Sequence, residues 1–256
     1  MVSKTKSLQI NENLVLSQST DGLTFGTDAY MLAAYMKGGS KQSAADLGSG
    51  TGVISLLCQS KGKFNHIYAI EIQERFAALI EKNADENHLN DKITPICADL
   101  RNIKAEDVGG ELDCVFSNPP YMKIDSGKRN EHDEKFIARH EVYGQINDFC
   151  ACARRLLKHG GKFYTVWRPD RLADLMCALR ENKLEPKVII FIHAYPSAPP
   201  SMILTEAVKG GASGNKLYRP LYLSDSLEDS KNSILSDDAR KIYDTCSFEE
   251  FIEKKK

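Results

Sequence analysis

The sequence lacks several things at once, and each gap argues against a class of protein. No stretch of the 256 residues approaches the roughly 18 consecutive apolar positions of a membrane-spanning helix. The start, MVSKTKSLQINENL, is polar and carries no apolar core of a secretory signal, so the chain is expected in the cytoplasm and away from membranes. Its seven cysteines are an odd number with no CxxC pair, and several sit inside apolar runs. That pattern fits reduced, mostly buried thiols better than a disulfide framework or a zinc site, and no metal is expected. The net charge of −1 comes from 34 basic and 35 acidic residues, which is not the footprint of a protein that coats nucleic acid indiscriminately. Residues 225–256 hold nine acidic and six basic side chains, leaving a small positive balance on the rest. There are no internal repeats.

What is present is an alternation of short apolar runs with longer amphipathic ones. SAADLGSG (43–50), HIYAIEI (66–72), KITPICADL (92–100), ELDCVFSN (111–118), KFYTVW (162–167) and KVIIFIHA (187–194) read as strands. VISLLCQ after the first strand, QERFAALIEKNADENHL (73–89), GQINDFCACARRLLKHGG (144–161) and PDRLADLMCALRENKL (169–184) read as helices, the third closed by Gly160-Gly161 and the fourth opened by Pro169. This alternation predicts an α/β protein with a parallel, doubly wound sheet. SMILTEAV and KLYRPLYL lack a helix between them and are expected to form an antiparallel pair near the sheet edge, joined by KGGASGN (209–215). The polar tail is expected to form one or two surface helices, with FEEFIEKKK fraying.

DLGSGTG places Asp46, Gly48, Gly50 and Gly52 between the first strand and first helix, where doubly wound sheets bind ligands. Glu71 ends the second strand, at a place where a carboxylate accepts both hydroxyls of a ribose. Dinucleotide sites favour G-x-G-x-x-G, with a pyrophosphate on the helix N-terminus. The spacing here is G-x-G-x-G with an acid two residues ahead, which resembles motif I of the S-adenosylmethionine-dependent methyltransferases. A negative residue suits a cationic amino-acid moiety and repels a pyrophosphate. Asp99, after the third strand, is placed to accept a hydrogen bond from an adenine amine.

LDCVFSNPPYMK (112–123) ends a strand at two prolines, which have no N–H for a ladder. The order of glycine loop then Asn118-Pro119-Pro120-Tyr121 resembles the (D/N/S)-P-P-(Y/F/W) motif of methyltransferases acting on planar exocyclic amines. Such an amine is a poor nucleophile because its lone pair is delocalised into the ring. The Asn118 side-chain oxygen and the Pro119 carbonyl can each accept one of its N–H groups and turn the lone pair toward a methyl donor. The prolines keep both acceptors still, and Tyr121 can stack on a flat base. No strong general base is required before the attack.

FGTDAYMLAAYM (25–36), SNPPYMK, IARHEV (137–142) and EAVKGGASG (206–214) together resemble the bacterial tRNA1(Val) adenine-37 N6-methyltransferase family over about residues 8–223. The resemblance implies a Rossmann-like class I methyltransferase fold, a seven-stranded, mostly parallel sheet with an antiparallel edge strand. It implies S-adenosylmethionine as cofactor, S-adenosylhomocysteine as product and tRNA as partner, with the protein expected as a monomer. Residues 43–223 would form the methyltransferase domain, 1–42 a segment packing on the cofactor site and 224–256 a charged tail. By position, Gly26, Thr27, Asp28, Asp46, Gly48, Ser49, Gly50, Thr51, Gly52, Glu71, Ile72, Asp99, Leu100 and Asn118 would line the cofactor, Gly26–Asp28 at its methionine end. Thr27 or Asp28 could also cap the helix that follows. Asn118, Pro119, Pro120 and Tyr121 would hold the target base.

The segment 122–141 holds Lys123, Lys128, Arg129, Lys135 and Arg139, candidate phosphate contacts matched in number by acids in the same stretch. His140 reads as structural, since the chemistry needs no base. Members of the family often carry a basic residue near the start of SMILTEAV, where Met202 stands here. The motifs alone leave open an rRNA guanine N2 or a protein glutamine as target, and a silent RNA-binding module with the same fold. A NAD-dependent oxidoreductase fits the glycine spacing less well.

Overall fold

In the computed structural model, which describes residues 5–11, 14–19, 26–119 and 145–253, an antiparallel pair precedes a strand–helix series. The pair is β1 (Thr5–Asn11) and β2 (Leu14–Ser19). Next come α1 (Thr27–Tyr35), β3 (Gly39–Leu47), α2 (Val53–Ser60), β4 (Phe64–Glu71), α3 (Glu74–Glu86), β5 (Ile93–Cys97) and β6 (Leu112–Ser117). The second half holds α4 (Ile146–Leu156), β7 (Leu157–Trp167), α5 (Leu172–Glu181), β8 (Leu184–His193) and β9 (Pro200–Lys209). Two short strands, β10 (Lys216–Leu217) and β11 (Leu221–Tyr222), lead to α6 (Leu227–Lys231), α7 (Asp237–Thr245) and α8 (Glu249–Glu253).

Seven long strands in the order β5-β4-β3-β6-β7-β9-β8 make the doubly wound sheet, mostly parallel as expected. Side chains alternate between its faces with a period of two. Ala44, Cys114 and Phe116 face a core shared with α1 and α2, while Ala45, Leu47 and Val115 face one shared with α4 and α5. Burial on both faces explains why these strands read as continuous apolar runs. β9 is antiparallel to both β7 and β8 and sits between them, one position in from where an edge strand would lie.

Three sequence expectations change. KLYRPLYL does not pair with β9, whose two edges are already taken. It reaches the outer edge of β8 instead, and Pro220, with no N–H, splits it into β10 and β11, both parallel to β8. Gly160-Gly161 do not close a helix. The helix ends at Leu156, and the glycines form an irregularity inside β7, where Leu157 pairs with Leu112 and Lys162 with Cys114. The tail forms helices as expected, but Phe248 and Phe251 are buried rather than frayed. The Tyr30 hydroxyl donates to the Tyr243 carbonyl at 2.6 Å, Phe248 packs edge-on against Tyr35, and Phe251 is only 3% exposed.

The β1–β2 pair has no signature in the sequence reading. Asn83 on α3 and Asn87, its C-cap residue one turn further on, act as a side-chain strand for it. Asn83 accepts from Ser17 N–H at 2.7 Å and donates to the Ser17 carbonyl at 3.1 Å, while Asn87 does the same for Val15 at 2.9 and 2.7 Å. Asn83 also donates to the Thr51 carbonyl at 2.9 Å, tying the pair to the glycine loop. Asn83→Ala leaves these buried backbone groups without partners, and we expect it to lower unfolding free energy by roughly 2–4 kcal/mol in urea titration. A loss below about 0.5 kcal/mol, the usual surface value, would show that the pair is held by other means.

Candidate active site

β3 and β6 lie side by side and parallel, and the order in which the chain adds strands reverses between them; their carboxyl ends form the crevice used for ligands in such folds. The glycine loop follows β3 and Asn118 follows β6. Gly48, Gly50 and Gly52 all have positive φ, at 68°, 56° and 80°, which L side chains resist. Gly48 and Ser49 N–H donate to the Ile70 carbonyl, and Gly52 N–H to the Ser49 carbonyl, folding the loop back on β4. At Gly50 a Cβ would meet nothing within 4 Å, so the loop is open on that side.

Glu71 holds the loop from the end of β4. One carboxylate oxygen accepts Gly50 N–H at 2.9 Å and the other accepts Gln73 N–H at 2.9 Å. Burial raises its pKa, while those backbone donors oppose the rise. A carboxylate offers about four acceptor sites, so two N–H groups leave capacity for ribose hydroxyls.

Asp46 is placed differently from the sequence expectation. It shares a face of β3 with Ala44, so it points under α2 rather than across the loop, and is 1% exposed. Ser55 Oγ donates to one oxygen at 2.7 Å, and the other has no hydrogen-bond partner among the described residues. Burial, together with the nearby Glu71 carboxyl and against the Ser55 bond, pushes its pKa up to about 7. Asp99 also differs. Both its oxygens are engaged by the Arg101 side chain, at 2.5–3.0 Å, and one also by Arg101 N–H. The Arg101 bonds hold its carboxyl below the usual range. An adenine amine reaches Asp99 only where Arg101 yields. Leu100 is buried with Leu47 and Ile70 as a core residue, and Ile72 is half-buried just past β4.

Across the crevice, Asn118 Nδ2 donates to Asp28 Oδ2 at 3.0 Å. An ionised carboxylate only accepts, so Asp28 fixes which way the amide faces and turns the Asn118 oxygen away from itself. Asp28 is itself held, its other oxygen accepting Ala29 N–H at 2.9 Å in the first turn of α1. Gly26, not Thr27 or Asp28, is the N-cap residue, and a Cβ on it would stand 2.6 Å from Asp28 Oδ1. The Gly-Thr-Asp order therefore makes room for this carboxylate. Ser117, buried, donates to the Leu47 carbonyl at 2.7 Å and locks the two strand ends together. Pro119 is buried. Pro120, Tyr121, Lys123, Lys128, Arg129, Lys135, Arg139 and His140 lie outside the described residues. Sequence reasoning missed Ser55, Asn83 and the Asp28–Asn118 bond, because each pairs groups whose partner only the fold identifies; it also missed Arg101, although its partner Asp99 is only two residues away.

The open face at Gly50, the acceptor capacity of Glu71 and the amide turned at Asn118 fit an S-adenosyl cofactor. Residues 17–180 match the family model described as the methyltransferase small domain. The chain belongs to that family. This methyltransferase is 26% identical over 197 residues to a Porphyromonas gingivalis protein named tRNA1(Val) (adenine(37)-N6)-methyltransferase, covering 75% of this chain and 76% of that one. A Shewanella loihica protein of the same name is 25% identical, with 77% and 82% covered. Among solved structures, a predicted O-methyltransferase from Agrobacterium tumefaciens superposes with a TM-score of 0.63 at 20% identity, covering 82% of this chain and 98% of that one. M. jannaschii TYW2, solved with AdoMet, gives 0.54 at 15% identity, with 80% and 85% covered. These structural likenesses show the fold. Among the described residues, no group of His, Cys, Asp or Glu could hold a metal ion, and no helix is long and apolar enough to cross a membrane.

The raised pKa of Asp46 has a signed consequence. The folded protein keeps this proton up to about pH 7, whereas the unfolded chain releases it near the ordinary value of 3.8. Asp46 therefore lowers stability progressively as pH rises through that window. Asp46→Asn keeps an acceptor for Ser55 and removes the titration. Urea unfolding is expected to show the variant gaining on the wild type between about pH 4 and 7, with the difference constant above that; a pH-independent difference would rule out a raised pKa.

Proposed function

We propose that this protein transfers a methyl group from S-adenosylmethionine to the exocyclic N6 amine of an adenine in tRNA. Position 37 of a valine tRNA, the site in the relatives' names, is the proposed target. The observation that carries the reading is the Asn118 amide, oriented by Asp28 at the end of β6 and level with the glycine loop. When bound, the cofactor supplies an electrophilic methyl group on a sulfonium and leaves as a neutral thioether.

Glu71 would hold the ribose hydroxyls and the Gly48–Gly52 backbone the amino-acid end. Asn118 Oδ1 and the Pro119 carbonyl would accept the two N–H groups of the target amine. Their fixed positions hold the nitrogen still and favour the geometry in which its lone pair is localised. Tyr121 would stack on the purine, a contact on the scale of about 1–3 kcal/mol. Asp28 acts through Asn118 as a positioning residue. The proton lost after transfer goes to water, so no general base is assigned.

Asn118→Ala is expected to leave cofactor binding in place, measured by calorimetry, and to lower methyl transfer at least about 100-fold, the scale of a lost preorganised hydrogen bond. Full transfer by the variant would remove Asn118 from the mechanism. Asp28→Asn keeps the shape but lets the Asn118 amide face either way. Its kcat should fall roughly ten-fold with the KM for cofactor nearly unchanged, as expected for lost orientation rather than lost binding; a raised cofactor KM with unchanged kcat would make Asp28 a cofactor ligand instead. Nucleoside mass spectrometry of tRNA from a deletion strain tests the target. Loss of N6-methyladenosine is expected; its persistence, beside loss of N2-methylguanosine from rRNA nucleosides or of a methylated glutamine in peptide mass spectra of the same strain, would overturn the adenine assignment.

A further inference from the structure

A cavity opens at the same end of the sheet, between the end of β7 and the start of β9. It has a volume of about 560 Å³, and its walls include Asp28, Arg168, Pro169, Asp170, Pro200 and Met202. That volume is within the usual range for small-ligand sites, about 300–1,000 Å³. Asp28 belongs to both places, with its carboxylate on Asn118 and its side chain in the cavity wall. The Asn118 amide and this cavity therefore share one residue, Asp28.

The wall chemistry suits one nucleotide. Pro169, Pro200 and Met202 offer apolar surface to a base or ribose. Arg168 is the cation of the wall, and it is held by a fork-on-fork pair with Asp170, at 2.9 and 2.8 Å. The side chains of this pair are 31% and 55% exposed. Solvent-exposed pairs contribute only about 0–1 kcal/mol, so little is lost when the guanidinium changes partner. A phosphate presents the same two-oxygen edge to the guanidinium as the carboxylate does.

We propose that this cavity seats the RNA nucleotide adjoining the one that is methylated, with Arg168 exchanging Asp170 for its phosphate. The proposal rests on the RNA-methylating reading above. It makes an unusual demand on the pair: removing either partner must move RNA affinity in opposite directions. A pair that merely holds the loop after β7 would be damaged by both substitutions alike.

The test uses the full chain, a tRNA transcript carrying the target adenine, and steady-state methyl transfer at several salt concentrations. Arg168→Ala is expected to raise the KM for RNA about 5- to 10-fold and to reduce the salt dependence by about one phosphate contact. Asp170→Ala is expected to lower that KM, because Arg168 no longer has a competing carboxylate. Cofactor affinity should stay within two-fold in both. Arg240→Ala, which breaks the exposed contact with Asp237 on α7, serves as the control for general charge and should change nothing. Equal losses in both variants, no change in either, or an equal effect of Arg240→Ala would overturn the cavity assignment while the wild type still methylates RNA. A wild type that modifies no RNA but does modify a protein glutamine would overturn the functional reading, and the cavity assignment with it.

Discussion

The parallel pairing of β3 with β6 is the interaction on which the site depends. The register sets Asp46 opposite Phe116. Two residues further along each strand are Gly48 and Asn118, so the loop and the amide are brought level by backbone hydrogen bonds alone. The Ser117 hydroxyl reinforces this by reaching across to the Leu47 carbonyl. A shift of one residue would turn every side chain of the strand to the opposite face, burying different groups in each core layer. Both layers are packed with residues of fixed size, Phe116 on one side and Val115 on the other, so the register has no easy alternative.

The second half of the site is brought in by α1, and the rest of the molecule holds that helix in place. At its amino end, Gly26 leaves room for the Asp28 carboxylate. At its carboxyl end, Lys63 Nζ donates to the carbonyls of Ala33, Ala34 and Met36 at 2.7–3.1 Å, supplying the cation that a helix terminus favours. Along its side, Tyr30 and Tyr35 pack on the C-terminal helices through Tyr243 and Phe248. The acidic tail thus has a structural use that its polar composition hid. Its aromatic residues cover α1 while its charges face solvent.

Legibility in the sequence followed the range of the interactions. Strand–helix alternation, the glycine loop and Glu71 were readable because each depends on residues close in sequence or on a fixed order of elements. Asp46 was readable as a motif residue but not as a buried one, since its direction follows from the pleat of β3 and from Ser55 beneath it. The Asn83–Asn87 clamp joins residues 66 to 72 positions apart, and Asp28–Asn118 spans 90. No local pattern announces such pairs. The same reason explains the β7 glycines. Gly-Gly after an amphipathic stretch resembles a helix stop, and only the pairing of Leu157 with Leu112 shows that the strand has already begun.

The proposed function sets a near-neutral protein against a polyanion, a physical tension, because there is little net field to draw RNA in. Along the active edge, several cations are held by acids two or three residues away: Arg101 by Asp99, Arg168 by Asp170 and Arg171 by Asp174. Paired in this way, they add little to attraction at long range. They differ from free cations in what they recognise. A phosphate in the right place can replace the carboxylate with similar geometry, whereas a misplaced one gains nothing and meets a negative charge. Exchange of this kind exploits position rather than total charge, which suits the proposed reaction, in which one base rests against one amide.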